Sequence, residues 1–109
     1  MIVELRTYTF HAGKLGEFMR IYTAGAQELQ RRVLGNLLGY YSTEVGTLNQ
    51  LVHLWGYASF EDRLKRRAQL MTEPLWQHYL EQAMPLIQLQ ESKLLIPTAF
   101  SPNNTSAKS

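Results

Sequence analysis

The feature that most constrains this chain is the order in which its apolar periodicity changes along the sequence. Residues 2–10 alternate, with Val3, Leu5, Thr7 and Thr9 on one face and Ile2, Glu4, Arg6, Tyr8 and Phe10 on the other, which predicts a strand. After Gly13 the spacing becomes three and four through Leu15, Phe18, Tyr22, Ala26, Leu29 and Val33, the stripe of a helix that Gly35 is placed to stop. Two β-prone runs follow at 37–45 and 50–57, joined by Gly46-Thr47-Leu48-Asn49, a length suited to a hairpin. Ser59 with Asp62 three residues on predicts a helix start before Phe60, Leu64, Ala68 and Met71. Pro74 would break that helix but is tolerated at the first position of another, carrying Leu75, Tyr79, Leu80 and Ala83 towards Pro85. Residues 88–96 form the last extended run, ended by Pro97.

Strand, helix, strand, strand, helix, strand is the split βαβ order. The expected class is therefore α+β and ferredoxin-like, βαββαβ, with a four-stranded antiparallel sheet and its helices on one face. With 109 residues there is room for one domain, expected over 1–100, and a polar tail without periodicity, 101–109, expected to be disordered. Having no cysteine excludes disulfides, a zinc-thiolate site and a thiol nucleophile, and suits a reducing cytoplasm. Glu4 and Arg6 interrupt the first apolar run, so no secretory signal is visible, and no run approaches the ~20 residues of a bilayer span. A soluble, cytoplasmic protein without stable membrane insertion is expected. The net charge of +2 does not point to nucleic acid.

A sheet with helices on one face leaves its other face to be covered by something else. If Val3, Leu5, Val52 and Leu54 pack under the helices, the opposite face collects Glu4, Arg6 and Tyr8 with Leu51, His53, Trp55 and Tyr57. Such an aromatic face suits burial against a second copy, and a homodimer is expected. Buried Glu4, Arg6 and His53 each cost several kcal/mol unless paired, roughly, so the space they line is either a salt-bridged plug or a small-molecule pocket.

The candidate ligand-binding residues are Glu4, Arg6, Tyr8, Tyr41, His53, Trp55 and Tyr57. His53 is the catalytic candidate, as a proton acceptor or ligand contact, against a satisfied interface histidine. Arg6 could clamp a carboxylate or pair with a glutamate across the dimer. Tyr8, Tyr40, Tyr41, Trp55 and Tyr57 could stack on an aromatic ligand or fill the dimer core. Arg63, Lys65, Arg66 and Arg67 could grip phosphate or anionic lipid, but with Glu61 and Asp62 before them they read as a solvated helix face. His11, His53 and His78 lack metal-ligand spacing, so no metal is expected. Phosphate-loop, nucleophile-elbow and paired-carboxylate signatures are missing, and no cofactor is expected.

IVELRTY (residues 2–8), GNLLGYYSTEVGTLNQLVHLWGY (35–57) and QES (90–92) resemble the NIPSNAP family, the middle segment most specifically. Gly56 stands where that family more often has Arg, and Ala12 where Pro often precedes Gly13. The resemblance runs from Ile2 to about Pro102. It implies a dimeric α/β barrel like that of the antibiotic-biosynthesis monooxygenases, with no agreed activity, metal or cofactor. On this reading the chain binds a small, partly aromatic or hydrophobic organic ligand in a lumen between helices and sheet. The alternatives are a cofactor-independent monooxygenase acting on a phenolic substrate, and a non-catalytic adaptor or vesicle-associated protein.

Overall fold

The computed structural model describes residues 1–103. Its elements are β1 (Ile2–Phe10), α1 (Leu15–Ile21), a π-helical turn (Tyr22–Ala26), α2 (Gln27–Leu34), β2 (Asn36–Ser42), β3 (Gln50–Tyr57), α3 (Phe60–Met71), α4 (Pro74–Ala83), a 3-10 turn (Met84–Leu86) and β4 (Ile87–Leu95). The sheet order is β2-β3-β1-β4 and every pairing is antiparallel. This is the expected ferredoxin-like arrangement, with the helices on one side.

The local signals act as their chemistry suggests. Ser59 Oγ accepts the Asp62 N–H at 3.1 Å, while the Asp62 carboxylate accepts the Ala58 N–H at 3.2 Å, so both ends of the cap are satisfied. Pro74 opens α4, where its missing N–H costs nothing. Gly35 ends α2 at φ 91°. The stripe from Leu15 to Val33 departs from a single helix, because Ala24 and Gly25 leave helical geometry and Gly25 sits at φ 134°. That kink divides α1 from α2.

The faces of the sheet are opposite to the sequence expectation. Glu4, Arg6, Tyr8, Leu51, His53, Trp55 and Tyr57 do share one face, but it lies under the helices: Tyr8 meets Phe18 of α1, and Glu4 meets Arg63 of α3. Val3, Leu5, Val52 and Leu54 lie on the open face. Alternation groups residues into faces without saying which face the helices choose, and here the helices bring the partners the polar set needs. Most of the open face remains partly accessible, whereas Val3 is buried at one end, where Ile96, Pro97, Thr98, Ser101 and Asn103 gather beside it. Of the expected tail, residues 101–103 thus form a turn beside that face, and 104–109 lie outside the described residues.

The edge strand β2 carries a bulge. Leu37 faces Trp55, but Gly39 faces Leu54, so Leu38 is an extra residue and the alternation shifts by one. Tyr40 is thereby opposite His53, and Tyr41 is opposite Val52 on the open face, 58% exposed. A Cβ on Gly39 would fall within 3 Å of the Tyr41 ring, so the glycine lets that ring lie along the strand.

Candidate functional site

At the centre of the helix-covered face is a buried carboxylate. Glu4 is 0% exposed and accepts from Arg63 twice, Nε to Oε1 at 3.2 Å and Nη2 to Oε2 at 2.8 Å. Arg6 Nη1 donates to Oε2 at 3.0 Å and the Ser92 hydroxyl at 2.5 Å, while Arg67 stands 4.0 Å from Oε1. Burial alone would raise the Glu4 pKa, but the hydrogen bonds from Arg63 and Ser92 and the charges of Arg6 and Arg63 outweigh it and bring it down to about 2. It is an anion at any physiological pH. The arginines expected to be a solvated face are therefore divided: Arg63 and Arg67 turn to Glu4, and Arg66 bonds Asp62 and the Val33 carbonyl at the end of α2.

Opposite Arg6 on β3, His53 is also 0% exposed. The Trp55 indole N–H donates to its Nδ1 at 2.7 Å. An indole nitrogen can only donate, so Nδ1 carries no proton and the neutral ring must carry its proton on Nε2. Among the described residues, that Nε2 has no hydrogen-bond partner. Burial, assisted by the Arg6 charge, pushes the His53 pKa down to about 3. With Nδ1 accepting from Trp55, the neutral ring presents Nε2 as its N–H donor. Tyr40 stacks on it at 4.3 Å between centroids, and Tyr8 meets it edge-on at 4.8 Å.

The aromatic layer continues through Tyr22, Tyr79 and Phe18. Burial and neighbouring phenols raise the pKa values of Tyr22, Tyr40 and Tyr79, and burial with the Glu4 charge pushes Tyr57 up to about 12. All four are neutral donors near pH 7. The Tyr57 hydroxyl, like His53 Nε2, is buried without a partner among the described residues. The Tyr22 hydroxyl donates to the Gln30 amide oxygen.

A cavity of about 200 Å³ opens between β1, β4 and the helices. Its polar groups are Arg6, Gln30, Arg67 and Gln90, and its apolar wall includes Leu70, Trp76 and Leu80. Tyr8 joins it to the buried layer, with its hydroxyl accepting from Arg6 Nε at 3.2 Å. Of the residues singled out from sequence, Glu4, Arg6, Tyr8, His53, Trp55 and Tyr57 are brought onto this face, and Tyr41 is not. Gln30 and Trp76 were missed, Arg63 and Arg67 were read as a solvated face, and Tyr40 was considered only as a stacking ring. Arg63 and Arg67, four apart on α3, were the signal available for a helix face turned inward. A larger groove of about 570 Å³ beside Asn36, Tyr57 and Arg66 lies at the other end of the sheet. Among the described residues, no cluster of three or more potential metal ligands occurs, and no helix is long and apolar enough to cross a membrane.

A family model described as NIPSNAP matches residues 3–102. A Dictyostelium discoideum relative, Protein NipSnap homolog, is 38% identical over 94 residues, covering 86% of this chain and 41% of the relative. The chain therefore spans about two fifths of that relative's length. A NIPSNAP family protein from Agrobacterium tumefaciens, solved by crystallography, superposes with a TM-score of 0.91 at 40% identity, over 94% of this chain and 98% of that one. A chain described as an antibiotic biosynthesis monooxygenase, from Nitrosomonas europaea, superposes with a TM-score of 0.66 at 10% identity, over 88% of this chain and 97% of that one. The last is a likeness of fold alone.

Proposed function

We propose that this chain, which belongs to the NIPSNAP family, binds a small organic ligand with an aromatic or aliphatic body in the cavity between its sheet and helices. The observation that carries the reading is the cavity itself: an apolar wall at Leu70, Trp76 and Leu80 faces a few convergent polar groups, which is the usual composition of a small-molecule site. Behind it, Glu4 and its arginines hold β1 and β4 against α3, so the polar wall is preorganised. His53 lies outside that cavity, fully buried against Tyr8 and Tyr40.

A homodimer belongs to the same proposal, now through the other face. Leu5, Val52, Leu54, Leu89 and Leu95 share the open side of the sheet and remain partly or well exposed. A second copy would remove that apolar surface from water.

Trp76 lines the cavity, so its fluorescence and the melting temperature report occupancy together. Titration with neutral aromatic compounds is expected to shift both. Met71→Trp, made from an exposed position at the cavity, is expected to abolish the response while leaving the melting temperature of the unliganded protein unchanged. If no compound binds at millimolar concentration, or if Met71→Trp leaves binding intact, the cavity is not the site. Turnover of phenols under oxygen would instead support the oxygenase alternative.

A further inference from the structure

We propose that the cavity selects a carboxylate, held by Arg67 together with Arg6, so that the ligand is an organic acid with its apolar body against Trp76 and Leu80; this rests on the small-molecule reading above. Three guanidiniums, those of Arg6, Arg63 and Arg67, gather around the single carboxylate of Glu4. Three positive charges against one negative leave an excess of two beside a partly enclosed space. Nearby groups do not balance it. His53 is neutral, Asp62 is engaged with Arg66 and the Ala58 N–H, Glu61 is exposed on α3, and Glu91 lies on the opposite face of the sheet.

The three arginines are not equivalent. Arg63 is committed to Glu4 by two hydrogen bonds. Arg6 gives Nη1 to Glu4 and Nε to the Tyr8 hydroxyl, and its guanidinium lies 5.5 Å from the Tyr8 ring centre. Arg67 is beyond hydrogen-bonding distance of Glu4, its side chain is 33% exposed, and it lines the cavity with Arg6. A planar fork in that position matches a carboxylate in two parallel hydrogen bonds, and the low dielectric of the cavity strengthens them. The Gln30 and Gln90 amides in the same wall can bond to a carboxylate without adding charge.

The test compares 3-phenylpropionate with 3-phenylpropionamide, which share a body and differ in head charge, by calorimetry on the whole chain, its Arg67→Gln variant and its Arg67→Lys variant. The acid is expected to bind the original protein at least tenfold more tightly than the amide. Arg67→Gln is expected to erase that preference, and Arg67→Lys to retain part of it. Equal affinities for acid and amide in the original protein would overturn the charge selection and leave the cavity reading standing. A preference that survives Arg67→Gln would place the anion elsewhere and overturn it as well. Binding of neither compound would overturn both.

Discussion

Replacing His53 by Gln tests the buried neutral ring through the pH dependence of stability. In the folded chain the His53 pKa is depressed to about 3, against an ordinary value of 6.5. Between those values the unfolded chain takes up a proton that the folded chain refuses, so stability falls as pH falls. From pH 7.5 to 5.0 this linkage amounts to about 2 kcal/mol, at ~1.4 kcal/mol per pH unit over roughly 1.5 units below the unfolded value. His11 and His78 are exposed and common to both proteins, and Glu4 loses its contribution only below its unfolded value of 4.5. Urea unfolding followed by tryptophan emission, at both pH values and one protein concentration, measures the difference. His53→Gln is expected to be less stable at pH 7.5 and to lose about 2 kcal/mol less than the original on acidification. Parallel losses in the two proteins would refute the reasoning, because His53 would then titrate alike folded and unfolded.

Glu4→Gln leaves three guanidiniums around a neutral amide and is expected to cost roughly 3–5 kcal/mol in urea unfolding, partly recovered by adding Arg67→Gln; no loss would mean that the charges are solvated. Gly25→Ala is expected to cost about 1–3 kcal/mol through backbone strain at φ 134°, since its Cβ would meet only Leu75 at an ordinary 3.6 Å; an unchanged melting temperature would argue against the kink in solution. Light scattering is expected to give twice 12.6 kDa, and Leu54→Lys on the open face to reduce it to the single chain. A dimer that survives Leu54→Lys would point to a different interface.

Element order was legible because each boundary has a local chemical cause, seen at Ser59 with Asp62, at Pro74 and at Gly35. The kink was hidden, since the apolar stripe runs through Gly25 without interruption and only the backbone angle records the break. The site was half legible. Period-two spacing groups Glu4 with Arg6 and His53 with Trp55, whichever way the sheet turns. The direction depended on Arg63 and Arg67, more than fifty residues away in the chain, and on rings contributed by Phe18, Tyr22 and Tyr79. Strict alternation from Leu37 would put Tyr41 on the helix-covered face; one extra residue, Leu38, puts Tyr40 there instead.

The sheet order also sets a schedule for biosynthesis. β1 is made first, yet its two neighbours are β3, beginning at Gln50, and β4, ending at Leu95. At the usual ~5–20 residues per second, the interval between completing β1 and completing β4 is on the order of 4–17 s. Throughout it at least one edge of β1 lacks its native partner, while β2 and β3 can already form their hairpin. An apolar strand kept waiting in this way is exposed to pairing with another nascent chain, and charges along it discourage such pairing. Glu4 and Arg6 are therefore protective before they have met Arg63 or Ser92, and the same two side chains become part of the buried network once β4 closes the sheet.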